Sequence, residues 1–272
     1  MENTKNTIED STSAEDYVNR GNELYDQGDY QAAISAYNVV IRLDPDDAVT
    51  YYNRGTAKSK LGKYFEAISD YDQAICLNPE YANAYCNRGT AKSALGHPEA
   101  AIADYDEIIR LDPNDADAYY NRGTAKSKLE HPEAAIADYD EVIRLDPNDA
   151  DAYYSRGTVK TKLGKYFEAI SDYDESIRLD PNDADAYNNR GFTKSRLGHP
   201  EAAILDYNEA IRIDPEYATA YYNRGNAKSK LGDLEGAISD YDAAIRINPD
   251  DTAARIKREN AQKELREREK EN

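Results

Sequence analysis

Three histidines, two cysteines and many carboxylates are the residues of this chain with catalytic or metal-binding chemistry: His97, His131, His199, Cys76 and Cys86, among 53 Asp and Glu. Metal ligation needs side chains that converge to about 2 Å from one ion. The histidines instead sit in three copies of one His-Pro-Glu turn, 34 (131 − 97) and 68 (199 − 131) residues apart, and read as surface turn residues. Cys76 and Cys86 are ten apart with no C-x-x-C spacing, so they read as free thiols. The sequence contains no G-x-S-x-G, no Ser-His-Asp arrangement and no glycine loop of the phosphate-cradling kind. No catalytic, cofactor-binding or metal-ligating residue is expected, and the chain reads as a non-enzyme.

A second set of residues suits recognition rather than reaction. Asn19, Asn53, Asn87, Asn121, Asn189 and Asn223 recur in one register, with Ser155 as the exception. Asparagine has no intrinsic reason to recur within helices, but its amide both donates and accepts, as an extended backbone requires. Beside this line stand Tyr52, Tyr120, Tyr154 and Tyr222, and seven residues after it come Lys60, Lys128, Lys162, Arg196 and Lys230. Together they would form a polar, locally basic groove with aromatic anchors. The competing reading is that each Asn bonds a neighbouring helix or is a copied residue without a role.

The elements that must position these residues follow from a period of 34. Arg-Gly recurs at Arg20, Arg54, Arg88, Arg122, Arg156, Arg190 and Arg224, and a proline recurs from Pro45 to Pro249 with the same step. Tyrosines keep the step in two registers, Tyr17 to Tyr221 and Tyr37 to Tyr241. Within a unit, Tyr51, Gly55, Lys58 and Leu61 are three or four apart, Gly62 interrupts, and Ala67, Ile68, Tyr71, Ala74 and Ile75 form a second stripe. Each unit is therefore two helices closed by an Asn/Asp-Pro turn. Pro98, Pro132 and Pro200 suit a first helical position, and Asp47, Asp115, Asp149, Asp183 and Asp251 suit N-caps.

This pattern resembles the tetratricopeptide repeat family, with seven units at 14–47, 48–81, 82–115, 116–149, 150–183, 184–217 and 218–251. The resemblance implies an all-α, right-handed superhelical solenoid of antiparallel helix pairs whose first helices line a concave surface. It also implies that Asn53, Asn87, Asn121, Asn189 and Asn223, with Asn19 at the end, act as the asparagine ladder that holds a bound main chain in some members. The departures are Arg and Lys where the family carries Leu and Tyr, as at Arg54 and Lys58; their stems are expected in the helix interface with the charges at its edge. The second-helix Asp70, Asp104, Asp138, Asp172, Asp206 and Asp240 are plausible partners, within a unit or between neighbours.

Residues 252–272 are expected to form a capping helix with a frayed charged end, with Ala254, Ala261 and Leu265 inward and Arg255, Lys257, Arg258, Lys263 and Arg266 outward. Residues 1–13 read as a polar, disordered tail. The net charge of −19 excludes nucleic acid as a partner, and no apolar run approaches the roughly 20 residues of a membrane span. With two cysteines and no leader pattern, the expected location is the cytoplasm. The leading functional reading is a scaffold, monomeric and free of cofactors, binding an extended peptide or protein segment. The alternatives are a self-associating structural array acting through its convex face, and a regulatory adaptor for an enzyme on another chain.

Overall fold

The computed structural model describes residues 13–271, and among these no strand occurs. The disorder expected for residues 1–13 falls on residues 1–12, outside that range. Ser13 itself caps the first helix: its hydroxyl accepts from Asp16 N at 3.2 Å, and the Asp16 carboxylate accepts from Ser13 N at 2.8 Å.

Two compact units divide after Glu130. The first contains α1 (Ala14–Asp26), α2 (Tyr30–Leu43), α3 (Ala48–Lys60), α4 (Tyr64–Leu77), α5 (Ala82–Ala94), α6 (Pro98–Leu111) and α7 (Ala116–Lys128). The second contains α8 (Pro132–Leu145), α9 (Ala150–Lys162), α10 (Tyr166–Leu179), α11 (Ala184–Leu197), α12 (Pro200–Ile213), α13 (Ala218–Lys230), α14 (Leu234–Ile247) and α15 (Thr252–Glu271). Within each unit, consecutive helices pack on one another and alternate first helices also touch.

Local chemistry sets the boundaries. Asp47, Asp115, Asp149, Asp183 and Asp251 each accept from a backbone N–H in the first turn of the following helix. Prolines open α6, α8 and α12. Gly62, Gly96, Gly164, Gly198 and Gly232 take a positive φ in the inner turns, a region where a side chain is strained. Glu130 holds the same place with φ 58°, the one non-glycine among the described residues to do so. Glu130→Gly should therefore stabilise the chain by about 1 kcal/mol, read as a higher urea midpoint.

Each helix pair closes on one contact. The second-helix tyrosines, such as Tyr71 and Tyr241, are buried against a first-helix glycine. A Cβ at Gly55 would lie 2.8 Å from Tyr71 Cε1, and at Gly225 2.7 Å from Tyr241 Cε1. The first-helix tyrosines, by contrast, are half-buried, and from Tyr51 to Tyr221 an arginine lies over the ring: Arg88 is 5.2 Å from the Tyr85 centroid and Arg190 5.3 Å from that of Tyr187.

The repeated arginines do not leave their charges at an edge, as the sequence suggests. Arg88 Nη2 and Lys92 Nζ both meet the buried Asp104, at 2.6 and 2.8 Å, while Arg88 Nη1 reaches Asp72 of the preceding repeat at 2.6 Å. Arg190 does the same with Asp206 and Asp174, both at 2.7 Å. One guanidinium thus joins the two helices of its own repeat and ties that repeat to the one before it, within a repeat and between neighbours alike.

The terminal helix continues the period. In α15, Arg258 stands 34 residues after Arg224 and pairs with Asp242 at 2.9 Å; Ala254 and Ala261 are buried and Leu265 packs against the same core. Arg258 is therefore inward-facing, contrary to the sequence expectation. Glu259 occupies the place of Gly225, where any side chain would meet the tyrosine of a following second helix. α15 thus stands in the register of an eighth first helix.

Candidate functional site

The residues singled out from the sequence lie on the first helices, which the Arg–Asp forks hold in register within each unit. In the first unit, Tyr52 and Asn53 line one cavity with Asn22, Tyr25 and Thr56. Lys60 and Asn87 line another with Thr56, Ser59, Tyr64 and Tyr71. In the second unit, Tyr222, Asn223 and Lys230 line a cavity with Phe192, Tyr207 and Lys257. Tyr154 lines a separate one among Asp151, Asp180, Asp183, Asp185 and Asp214. Asn121 is half-buried, while Lys128, Lys162 and Asn19 are exposed. These four and Asn189 and Tyr120 belong to none of those four cavities.

The asparagine amides bond sideways. Asn87 Nδ2 donates to the Tyr52 hydroxyl at 3.2 Å and to Thr56 Oγ1 at 3.3 Å. Asn189 Nδ2 donates to the Tyr154 hydroxyl at 2.8 Å, Asn223 Nδ2 to Asn188 Oδ1 at 3.0 Å, and Asn53 Nδ2 to Asn22 Oδ1 at 3.3 Å. Each bond runs from one first helix to the preceding one, as the neighbour-bonding reading of the line expects. The carboxamides keep further capacity, since each has two N–H donors and an acceptor oxygen. Asn121 makes no side-chain hydrogen bond among the described residues: the residue 35 before it is Cys86, where Asn87 and Asn189 find a tyrosine.

The cavity floors are buried phenols. Desolvation pushes Tyr71 and Tyr241 up to about 12, and Tyr154 likewise to about 12, with Asp185 adding to the effect. These groups bind their protons more tightly folded than unfolded, where the ordinary value is about 10. Their contribution is whole below pH 10 and is lost as pH rises toward 12. The last part of the tyrosinate absorbance, from these buried phenols, should rise together with loss of helical circular dichroism across that window; completion of the tyrosinate signal in a chain still fully helical would contradict the burial.

Three first helices carry opposite charges at their two ends. Asp117, Asp151 and Asp185 stand at the second residue of α7, α9 and α11, and Lys128, Lys162 and Arg196 eleven residues later. Eleven residues of helix span about 16 Å, so each of these three helices is acidic at its start and basic at its end. Sequence reading missed one residue of this face. Lys257, expected outward, lines the cavity of Tyr222, because it sits 34 residues after Asn223. Phe192, half-exposed, shares that cavity where other first helices place Thr or Asn.

Among the described residues no group of His, Cys, Asp or Glu could hold a metal ion. Nor, among these residues, is any helix long and apolar enough to cross a membrane. His97, His131 and His199 are exposed in their turns, and both cysteines are free.

The family model described as TPR repeat matches residues 21–62, 57–96, 158–198 and 196–232. Two models described as tetratricopeptide repeat match residues 96–156 and 218–251. No curated protein matches the chain in sequence. Among solved structures, YrrB, described as a TPR protein with an unusual peptide-binding site, is 28% identical over 68% of this chain and 95% of its own, with a TM-score of 0.58. MamA is 27% identical over 63% of this chain and 93% of its own, also at 0.58. A tetratricopeptide repeat protein from Parabacteroides merdae covers 92% of this chain and 98% of its own at a TM-score of 0.70, and at 21% identity it is similar in fold.

Proposed function

Because the chain belongs to the tetratricopeptide repeat family, we propose that it is a non-catalytic scaffold holding an extended segment of a partner protein along its first helices. The observation that carries this reading is the grouping of Tyr52, Asn53, Asn87 and Lys60 in the first unit, and of Tyr222, Asn223 and Lys230 in the second, around open cavities floored by phenols. Amides held in place by one lateral bond retain donors and an acceptor for a main chain, and half-buried tyrosines supply contact area at low entropic cost. The peptide-binding site ascribed to YrrB agrees with this reading.

The same reading makes the chain a monomer. Glu259 stands where Gly225 leaves room for a second-helix tyrosine, which disfavours repeat-type stacking on α15, and a charge of −19 opposes self-association. The free thiols of Cys76 and Cys86 accord with the cytoplasm.

Selection of a displayed random-peptide library on the immobilised protein tests the proposal. We expect a family of related sequences that compete with one another for one site. Failure to enrich any sequence, with light scattering that grows with protein concentration, would point instead to a self-associating array.

A further inference from the structure

Phe192 alters the groove chemistry of the second unit. In other repeats the second-helix tyrosine hydroxyl bonds a polar first-helix residue fifteen positions earlier, as Tyr71 to Thr56 at 3.4 Å, Tyr173 to Thr158 at 3.2 Å and Tyr241 to Asn226 at 3.0 Å. Phe192 holds that place before Tyr207 and offers no polar atom. Tyr207 is 1% exposed, yet its hydroxyl makes no hydrogen bond among the described residues. It lines a cavity of about 270 Å³ together with Arg196, Lys230 and Lys257. Arg196 donates to the Tyr166 hydroxyl and Lys230 to Ser195 Oγ, both at 3.4 Å. None of the three cations meets a carboxylate among the described residues.

We propose that this cavity receives the carboxylate side chain of an aspartate or glutamate in the bound segment, an inference that rests on the peptide-binding reading above. The Tyr207 hydroxyl borders the cavity with no protein partner, so its proton can be donated to an acceptor brought by the segment. Three unpaired cations in a chain of net charge −19 call for that acceptor to be anionic. A lysine or arginine of the segment would be repelled, and an apolar side chain would leave the Tyr207 hydroxyl unsatisfied. Phe192, at the cavity wall, favours an apolar neighbour to the acidic residue.

The first unit offers no such site among the cavities described. Its matching cavity carries one cation, Lys60, because Ala94 stands where Lys230 and Arg196 do, and its floor hydroxyl, on Tyr71, already bonds Thr56. The preference for an acidic residue therefore belongs to the second unit alone.

The test uses the full chain and the displayed library at about 0.15 M salt, where long-range repulsion is screened. Selected peptides should share one Asp or Glu beside an apolar residue. Changing that Glu to Gln in a synthetic copy should weaken binding about tenfold to wild type and hardly at all to the Lys230→Gln/Lys257→Gln variant. Tyr207→Phe should lose affinity severalfold with an unchanged urea midpoint, since its hydroxyl leaves no protein partner behind. Selected peptides without a fixed acidic position would overturn this inference and leave groove binding intact; no selected peptides at all would sink the groove reading itself. A phosphoserine copy binding more than tenfold tighter than the Glu peptide would assign the cavity to phosphate, against the proposal.

Discussion

Asp104→Ala should destabilise the first unit by about 3–5 kcal/mol, the expected cost of removing one partner from a buried ion pair. Asp104 is 2% exposed and receives Arg88 and Lys92 at 2.6 and 2.8 Å; alanine would leave both cations inside the helix interface without a counter-charge. Arg88 also reaches Asp72 of the preceding repeat, so the loss should spread across a repeat boundary. Hydrogen exchange should show α3 to α6 opening together while α9 to α14 keep their protection. The combination Arg88→Met/Lys92→Met/Asp104→Leu should recover most of the lost stability, because apolar groups of similar size carry no desolvation penalty. Equal stability of Asp104→Ala and the native chain would mean the fork is not structural.

Asn53→Ala/Asn87→Ala/Asn121→Ala should weaken binding of a selected first-unit peptide about a hundredfold, at about 1 kcal/mol for each amide that bonds the ligand main chain. The effect on folding should be smaller. Asn121 has no side-chain bond to lose, and the bonds of Asn53 and Asn87 lie at a partly solvated face. The discriminating measurement is peptide affinity against urea midpoint. Unchanged affinity with a lowered midpoint would assign the asparagines to the lateral bonds alone.

Much of the fold was legible because each of its rules is local. A step of 34, glycines at inner turns and aspartates ahead of helices define α1 to α14 without reference to packing. The Arg-Gly pair gave the spacing but not the direction of the charge. Asp104 follows Arg88 by sixteen residues, and only the folded pair shows that it faces inward on the opposing helix. A cap on residues 252–272 puts Lys257 and Arg258 outward, whereas the 34-residue step from Asn223 and Arg224 puts Lys257 at the cavity of Tyr222 and Arg258 against Asp242.

The candidate site was legible as a line of residue types and illegible as a set of bonds. Asn87 and Asn189 donate to tyrosines one repeat back, which no single repeat reveals. The unpartnered Tyr207 emerges only once the second-helix hydroxyl is known to reach fifteen residues back, to a place that Phe192 fills with carbon.

The most direct measurement of the central claim is photo-crosslinking of a selected peptide from benzoylphenylalanine placed at Tyr154, on a first helix, or at Phe167, which is 75% exposed on the second helix α10. The account predicts crosslinks from Tyr154 that unlabelled peptide competes away, and none from Phe167. Crosslinks from Phe167 with none from Tyr154 would place the partner on the second helices and contradict it.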